Sequence, residues 1–470
     1  MTSKNYESSH LNLKTYLLTI LGPALVIFGI GALNVGAFAH TIGARNICLG
    51  FGAFCSLILL SIIRKNLLQT RFFCSYLLLG IVAWMALHYL VFPIASAIAF
   101  KELTSTWLRI FLAIILGAGL GLTISQNKTL KNIVLLSFLF LLILQLMLYG
   151  LKIYQLGHLP TSDFNGVFIS KAGGTYFLMW PFLILCAYID FLVHCPSNLK
   201  TRYQYFFQLF LSAFVLACCI AAFYSLRSLN GLLVASVCIF ILIARIFLVL
   251  VSQRRFLKSG LALIAIIAVF SFIALHSYSK QDGGKLSNLL RDAYIATQID
   301  LYTNWRSYPG AQWSPTLPDG HNVNQSTYYR VANAVEGIRI IKDNPLGAGF
   351  TYLPYGYYLS RLYPGSQSDH THSGWVDFTL GVGIPGLVLC WGAIALAISL
   401  GLSQIRKRSS LNLPPTLWPY ITVWALSGMT LLWIVLEVSE KEYLEHLFLM
   451  IAFLATVNAP LSNNSSPKVS

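Results

Sequence analysis

The sequence predicts an all-α, polytopic integral membrane protein with about twelve transmembrane helices and one long loop on the non-cytoplasmic side. Composition is the first observation behind this. Hydrophobic residues make up 56% of the chain and charged residues 10%, with a mean hydropathy of +0.68, outside the range of soluble globular domains. The second observation is the length of the apolar runs. A bilayer-spanning helix needs roughly 20 apolar residues. Such runs fall at about 15–39, 46–63, 72–95, 104–124, 132–151, 173–194, 204–224, 229–251, 256–277, 374–403, 416–437 and 442–458.

The third observation is where the basic residues lie, because short loops rich in Lys and Arg stay in the cytoplasm. With the N-terminus inside, the cytoplasmic connections carry Arg64, Lys65 and Arg71, then Lys128 and Lys131, Lys200 and Arg202, Arg254, Arg255 and Lys258, and finally Arg406, Lys407 and Arg408. Reversing the orientation would move every one of these clusters to the wrong face. Three polar segments then share the opposite side: about 152–172, the turn from Ser225 to Asn230, and 278–372. The chain divides accordingly into 1–277 with nine helices, the external loop 278–372, and 373–470 with three helices and a cytoplasmic tail.

Lys14 leads straight into the first apolar run, which reads as a retained signal-anchor helix. The formal charge of +16 is spread over five separate loops. It forms no continuous basic stripe, and nucleic acid is not an expected partner. All nine cysteines fall in or at the edges of apolar runs, with none in the external loop, so no disulfide or zinc framework is indicated.

The external loop is rich in aromatics, among them Tyr294, Tyr302, Trp305, Tyr308, Trp313, Tyr328, Tyr329, Tyr352 and Tyr355. A disordered linker lacks such residues, so the segment is expected to fold against the helix ends. The rings suit both interfacial anchoring and stacking on sugars. Within it, Ser326 to Lys342 places Val331, Val335 and Ile338 at helical spacing, an amphipathic helix expected to lie on the membrane, ended by Pro345 and Gly347. Arg330 sits in its first turns.

At Asp369-His370-Thr371-His372-Ser373-Gly374 polar chain gives way to an apolar span. Two histidines, the side chains suited to moving a proton near neutral pH, are thus placed at a membrane-water boundary. As a metal site this run lacks the three or four convergent ligands required. Asp377, about one turn inside the span, is costly unless paired with an arginine or used functionally. Arg227 and Lys171 are the other cations on the external side; each reads either as an interfacial anchor or as a clamp for a phosphate group.

The stretch from Arg330 to Leu389 resembles the O-antigen ligase family, which shares a region with O-antigen and other polysaccharide polymerases. The residues carrying the likeness are Arg330, the run Asp343-Asn344-Pro345-Leu346-Gly347-Ala348-Gly349-Phe350, and His372-Ser373 followed after nine residues by Gly383. Ser225-Leu226-Arg227 is similar to the arginine motif these proteins carry at an external helix end. Pro385-Gly386-Leu387 stands where the family often has paired threonines.

The resemblance implies a GT-C-like glycosyltransferase in the bacterial inner membrane with its active site facing the periplasm. It would need neither cofactor nor metal, and would transfer a glycan with inversion from undecaprenyl diphosphate to a lipid A-core hydroxyl. His372 would be the base, Arg330 and Arg227 would hold the diphosphate with help from Lys171, and His370 and Asp377 would support them. His370 remains a rival to His372 as base. A polymerase using the same donor stays open, as does, more remotely, a secondary transporter with Asp377 and Glu437 on an ion path.

The topology is expected to show directly in thiol labelling. Cysteines introduced at Ser287 and Ser366 should react with a membrane-impermeant reagent applied from the non-cytoplasmic side, and one at Ser409 should not. Labelling at Ser409 without labelling at Ser366 would invert the orientation.

Overall fold

The structure is a computed structural model that describes residues 2–62, 67–92, 94–160, 162–194, 202–253, 285–307, 314–318, 320, 322–411, 413–437 and 441–458. Its helices are α1 (Thr2–Val35), α2 (Ile42–Ile62), α3 (Phe73–Val91), α4 (Ser96–Glu102), α5 (Leu108–Gln126), α6 (Lys128–Leu156), α7 (Lys171–His194), α8 (Arg202–Ser225) and α9 (Leu229–Gln253). They continue with α10 (Lys285–Thr297), α11 (Gln325–Asp343), α12 (Pro354–Leu362), α13 (Gly374–Ser410), α14 (Leu417–Val435) and α15 (Lys441–Asn458). Among the described residues, nine helical stretches are long and apolar enough to cross a membrane, with α4 and α5 joined through a π-helical turn, Leu103–Trp107, into one of them. The protein is an all-α, multi-pass membrane protein. Helices α1 and α15 fill the first and last expected positions, while the expected span at 256–277 lies outside the described residues.

The centre of the bundle is the pair α5 and α15, and glycine explains how closely they approach. A Cβ on Gly117 would sit 2.3 Å from the carbonyl oxygen of Leu449, and one on Gly121 2.6 Å from that of Phe453. One turn apart, these two positions let the helix backbones touch, the usual device where lipid removes any hydrophobic drive between helices. Helix α15 carries Lys441, Glu442 and Glu445 in its first turns, and two of these are answered inside the bundle. Arg45 of α2 lies 2.9 Å from Glu442 and 3.2 Å from Glu445, and Arg109 of α5 lies 2.5 Å from Glu445. Such a network ties three helices together because removing one member leaves a buried charge unpaired, at about 3–5 kcal/mol.

A second apolar core lies in the segment between α9 and α13. Trp305, Tyr328, Ala332, Ile340, Phe350, Tyr355 and Leu359 are buried together with Leu380 of α13, as the aromatic content of the loop implied. Tyr308 and Trp313 lie outside the described residues. Helix α11 runs over the expected residues, capped by the Asn324 side chain accepting from the Thr327 N–H at 3.0 Å. Of the apolar positions read from sequence, Val331 and Val335 are half-buried against this core while Ile338 is 58% exposed, and the fully buried face is Tyr328, Ala332, Asn333, Glu336, Gly337 and Ile340. Tyr355 donates to Asn333 at 2.6 Å and Tyr363 to Glu336 at 3.1 Å, so polar residues face inward because tyrosine hydroxyls meet them there.

The two cores meet where α13 breaks. Gly383 has φ 72° and ψ 177° inside the helix, and the residues after α11 fill the gap. The Ala348 N–H donates to Leu380 O at 2.8 Å and that of Gly349 to Gly381 O at 3.0 Å, while the Ile384 N–H donates to Pro345 O at 2.8 Å. Trp84 of α3 donates its indole N–H to Val382 O at 2.7 Å. Four of the backbone groups at the break, Leu380 O, Gly381 O, Val382 O and the Ile384 N–H, are thereby satisfied, as the hydrocarbon region demands.

Gly383→Ala should therefore cost more than an ordinary surface change. A backbone at φ 72° and ψ 177° is essentially confined to glycine and disfavours alanine by about 1–3 kcal/mol, and its Cβ would fall 2.3 Å from Leu346 O. Thermal unfolding in detergent should show a clear drop in midpoint; an unaltered midpoint would mean that the break is not held as described.

Candidate active site

The site is assembled at the start of α13. The Gly374 N–H donates to Leu436 O at 2.9 Å, which holds the first turn of α13 against the residues just beyond α14. This brings His372 and Glu437 together, with Nδ1 2.5 Å from Oε2. When Nδ1–H donates to the carboxylate, Nε2 keeps the free lone pair and is the nitrogen able to accept a proton. The ring of His372 meets that of Tyr329 edge-on, at 5.5 Å between centroids. Next to Tyr329 on α11 is Arg330, whose Nη1 donates to Asn230 Oδ1 at 3.2 Å. Asn230 in turn donates to Val435 O at 2.6 Å. Four elements, α9, α11, α13 and α14, thus converge through side chains that sequence spacing does not relate.

The local charge balance follows from this geometry. Burial acts to raise the Glu437 carboxyl pKa, but the hydrogen bond and charge of His372, joined by the charges of His370 and Arg330, outweigh it and hold the group below the ordinary carboxylate range. Glu437 therefore stays ionised near neutral pH and can carry the charge that His372 gains on protonation.

The two histidines diverge. His370 Nδ1 lies 3.7 Å from Asp377 Oδ2. Asp377 is fully buried, and its Oδ1 accepts the Thr371 N–H at 2.9 Å. A carboxylate at a helix N-terminus is favoured by the exposed N–H groups there. It also holds the turn in which His372 takes φ 60°, a conformation unusual for a side chain other than glycine. The partner of Asp377 is thus a backbone N–H with a neighbouring histidine, where the sequence suggested an arginine. Among the described residues no group of three or more His, Cys, Asp and Glu side chains is arranged to hold a metal ion.

Arg227 lies in the turn between α8 and α9 with φ 49°, its Nη2 3.4 Å from Pro160 O. Ser228 beside it accepts from Thr175 at 2.6 Å, and Gln145 donates to Ser225 at 3.0 Å and to Phe164 O at 3.1 Å. Asn230, which Arg330 reaches, follows Arg227 by three residues in the chain. Lys171 sits one helical turn before Thr175 and pairs with Asp163 at 3.4 Å, both half-exposed. The structure therefore brings His372, Glu437 and Arg330 together, sets Arg227 in the neighbouring turn on Pro160 O, and gives Lys171 its own counterion. Asn230 and Tyr329 were not singled out as site residues from sequence, and Glu437 was named only on the ion path of the transporter reading. For Glu437 the signal existed, a lone carboxylate at the end of an apolar span, but its partner lies 65 residues away in the chain.

These features define the class: a multi-pass helical membrane protein with a histidine, carboxylate and arginine site on one face of the bundle. Residues 211–391 match the family model described as O-antigen ligase, and over that segment the chain is similar to that family. The matched residues include Arg227, Arg330, His370, His372, Asp377 and Gly383, and exclude Lys171 and Glu437. No curated protein matches the chain.

The lowered Glu437 pKa sets a direction in pH. A carboxyl held below its unfolded value of about 4.3 stabilises the fold above that pH, and the contribution is lost as pH falls through the folded pKa. Glu437→Gln should thus lower the thermal midpoint at neutral pH and differ less and less from wild type below about pH 4. A gap that persists undiminished in acid would detach Glu437 from this role.

Proposed function

We propose that the protein is an O-antigen ligase in the bacterial inner membrane. It transfers a glycan with inversion from undecaprenyl diphosphate to a lipid A-core hydroxyl on the periplasmic face, using the external loop 278–372 together with the first turns of α13. The observation that carries this reading is His372, oriented by Glu437 through Nδ1 and placed in one site with Arg330. The similarity of residues 211–391 to the O-antigen ligase family supports it.

The chemistry follows from the groups present. His372 Nε2 takes the proton from the acceptor hydroxyl as that oxygen attacks the anomeric carbon. The bond from that carbon to the diphosphate oxygen breaks, and the electron pair leaves on the diphosphate. Arg330 and Arg227 hold the departing charge, since a guanidinium donates in pairs and keeps its charge. Lys171 assists from the edge of the site by exchanging Asp163 for phosphate. Glu437 stabilises the imidazolium that forms, which is then deprotonated by solvent. With the arginines in this role the reaction calls for no metal. Asp377 and Glu437 serve the histidines, which favours a transferase over the ion path of a transporter.

His372→Ala should lower transfer by about 10²–10⁴ while the protein accumulates normally, with His370→Ala retaining more activity. Lysine should substitute poorly for Arg330 or Arg227, and full activity of both alanine variants would refute the clamp. In a deletion strain, full-length polymer should accumulate on the lipid carrier. Accumulation of single repeat units would make the protein a polymerase.

A further inference from the structure

Glu102 ends α4 and is only 4% exposed, near the N-terminal end of a membrane span. A carboxylate is expensive in such a place unless its charge is answered, and one that is retained marks a function. Its hydrogen bonds come from the external segment. Oε2 accepts from the Thr351 N–H at 2.7 Å and the Thr351 hydroxyl at 3.0 Å, and Oε1 accepts from the Tyr352 N–H at 2.6 Å. The span that carries Glu102 continues into a π-helical turn, a distortion found often at functional positions.

The segment that Glu102 grips is a joint. Residues 344–353 leave α11, which carries Arg330, and lie along the break in α13, whose first turn follows His372. The side of the joint facing α13 is held by the backbone bonds at Leu380, Gly381 and Ile384. The α3–α4 corner holds the other: His88 Nε2 lies 3.2 Å from Gly347 O, Tyr357 donates to Ile94 O at 3.2 Å, and Glu102 supplies the only charge-assisted bonds among these contacts. Lys441, the first residue of α15, lies 4.7 Å over the Tyr352 ring. Movement at the joint would therefore change where α11 sits relative to α13.

We infer that Glu102 is a positioning residue: by clamping Thr351 and Tyr352 from inside the membrane it locks 344–353 into the break of α13 and so sets Arg330 against His372. The clamp stands on geometry alone, and its consequence for rate rests on the transferase reading above. Glu102→Gln is nearly isosteric but turns one acceptor toward the backbone N–H groups into a donor.

The test uses the full-length protein in lipid nanodiscs with two measurements. In hydrogen exchange, the Thr351, Tyr352, Ala348 and Gly349 amides of Glu102→Gln should exchange roughly tenfold faster or more, the size expected for loss of a charge-assisted bond, with α5 and α15 unchanged. Thr351→Val, which leaves the carboxylate and its two N–H donors in place, should give a smaller increase and tests the clamp if Glu102→Gln fails to fold. In steady-state transfer from a lipid-linked glycan donor, Glu102→Gln should lose about 10- to 100-fold in kcat, with donor KM little changed because both arginines remain. Unchanged exchange in both variants would overturn the clamp. Faster exchange with unchanged kcat would overturn the positioning role. A wild-type protein that transfers nothing, while Glu102→Gln still loosens the joint, would overturn the transferase reading and its positioning consequence but support the clamp.

Discussion

In a membrane no water is present to satisfy a broken helix, and this constraint organises the protein around Gly383. The break in α13 frees carbonyl and N–H groups that must find partners within the chain. They find them in residues 345–349 and in the indole of Trp84. The same constraint explains why glycines stand at the contact: a Cβ on Gly381 would meet Phe350 O at 2.6 Å, and one on Gly347 would meet the Gly383 N at 2.4 Å. A loop that elsewhere would cross the surface is here a structural part of a membrane helix. The element it follows, α11, is thereby brought beside the start of α13.

The candidate site inherits its precision from this arrangement. His372 is placed by Asp377 below it and Glu437 beside it, and Glu437 is placed by the bond between Gly374 and Leu436. Close by in the chain, α15 opens with Lys441 and Glu442 and is fixed by the buried Arg45, Arg109 and Glu445 network. Charge inside the bundle thus anchors the helix that follows the site, while charge at its surface is kept for the chemistry proposed. The arginines differ in their ties. Arg330 donates to a neutral amide and Arg227 to a carbonyl, and neither contact is with a carboxylate.

The positions of His370 and His372 illustrate how far a sequence can be read. Both stand at the same boundary, two residues apart, and only the likeness carried by Ser373 and Gly383 favours His372. The fold separates them: φ 60° at His372 turns its ring toward Glu437, while His370 is turned toward Asp377. Glu437 was visible as a carboxylate at the end of a span, and only its contact with His372 gives it a role. Asn230 carried no signal at all, since an asparagine in an external turn is unremarkable until an arginine from α11 reaches it.

What the sequence determined by itself is whatever depends on local composition and one-dimensional pattern. The spans, the expected orientation from five basic loops, the folded external segment, α11 with its stop at Pro345, and the set of external cations all follow from the transfer of side chains between water and lipid, which acts on each segment separately. The tertiary structure decided which carboxylate each histidine faces, that Arg330 meets Asn230, how the face of α11 is buried, and that Glu102 reaches out of the bundle to hold Thr351 and Tyr352. These are pairings between residues tens to hundreds of positions apart, and no local free energy specifies them. They arise when the break at Gly383 forces a distant loop into the membrane helix to satisfy its backbone.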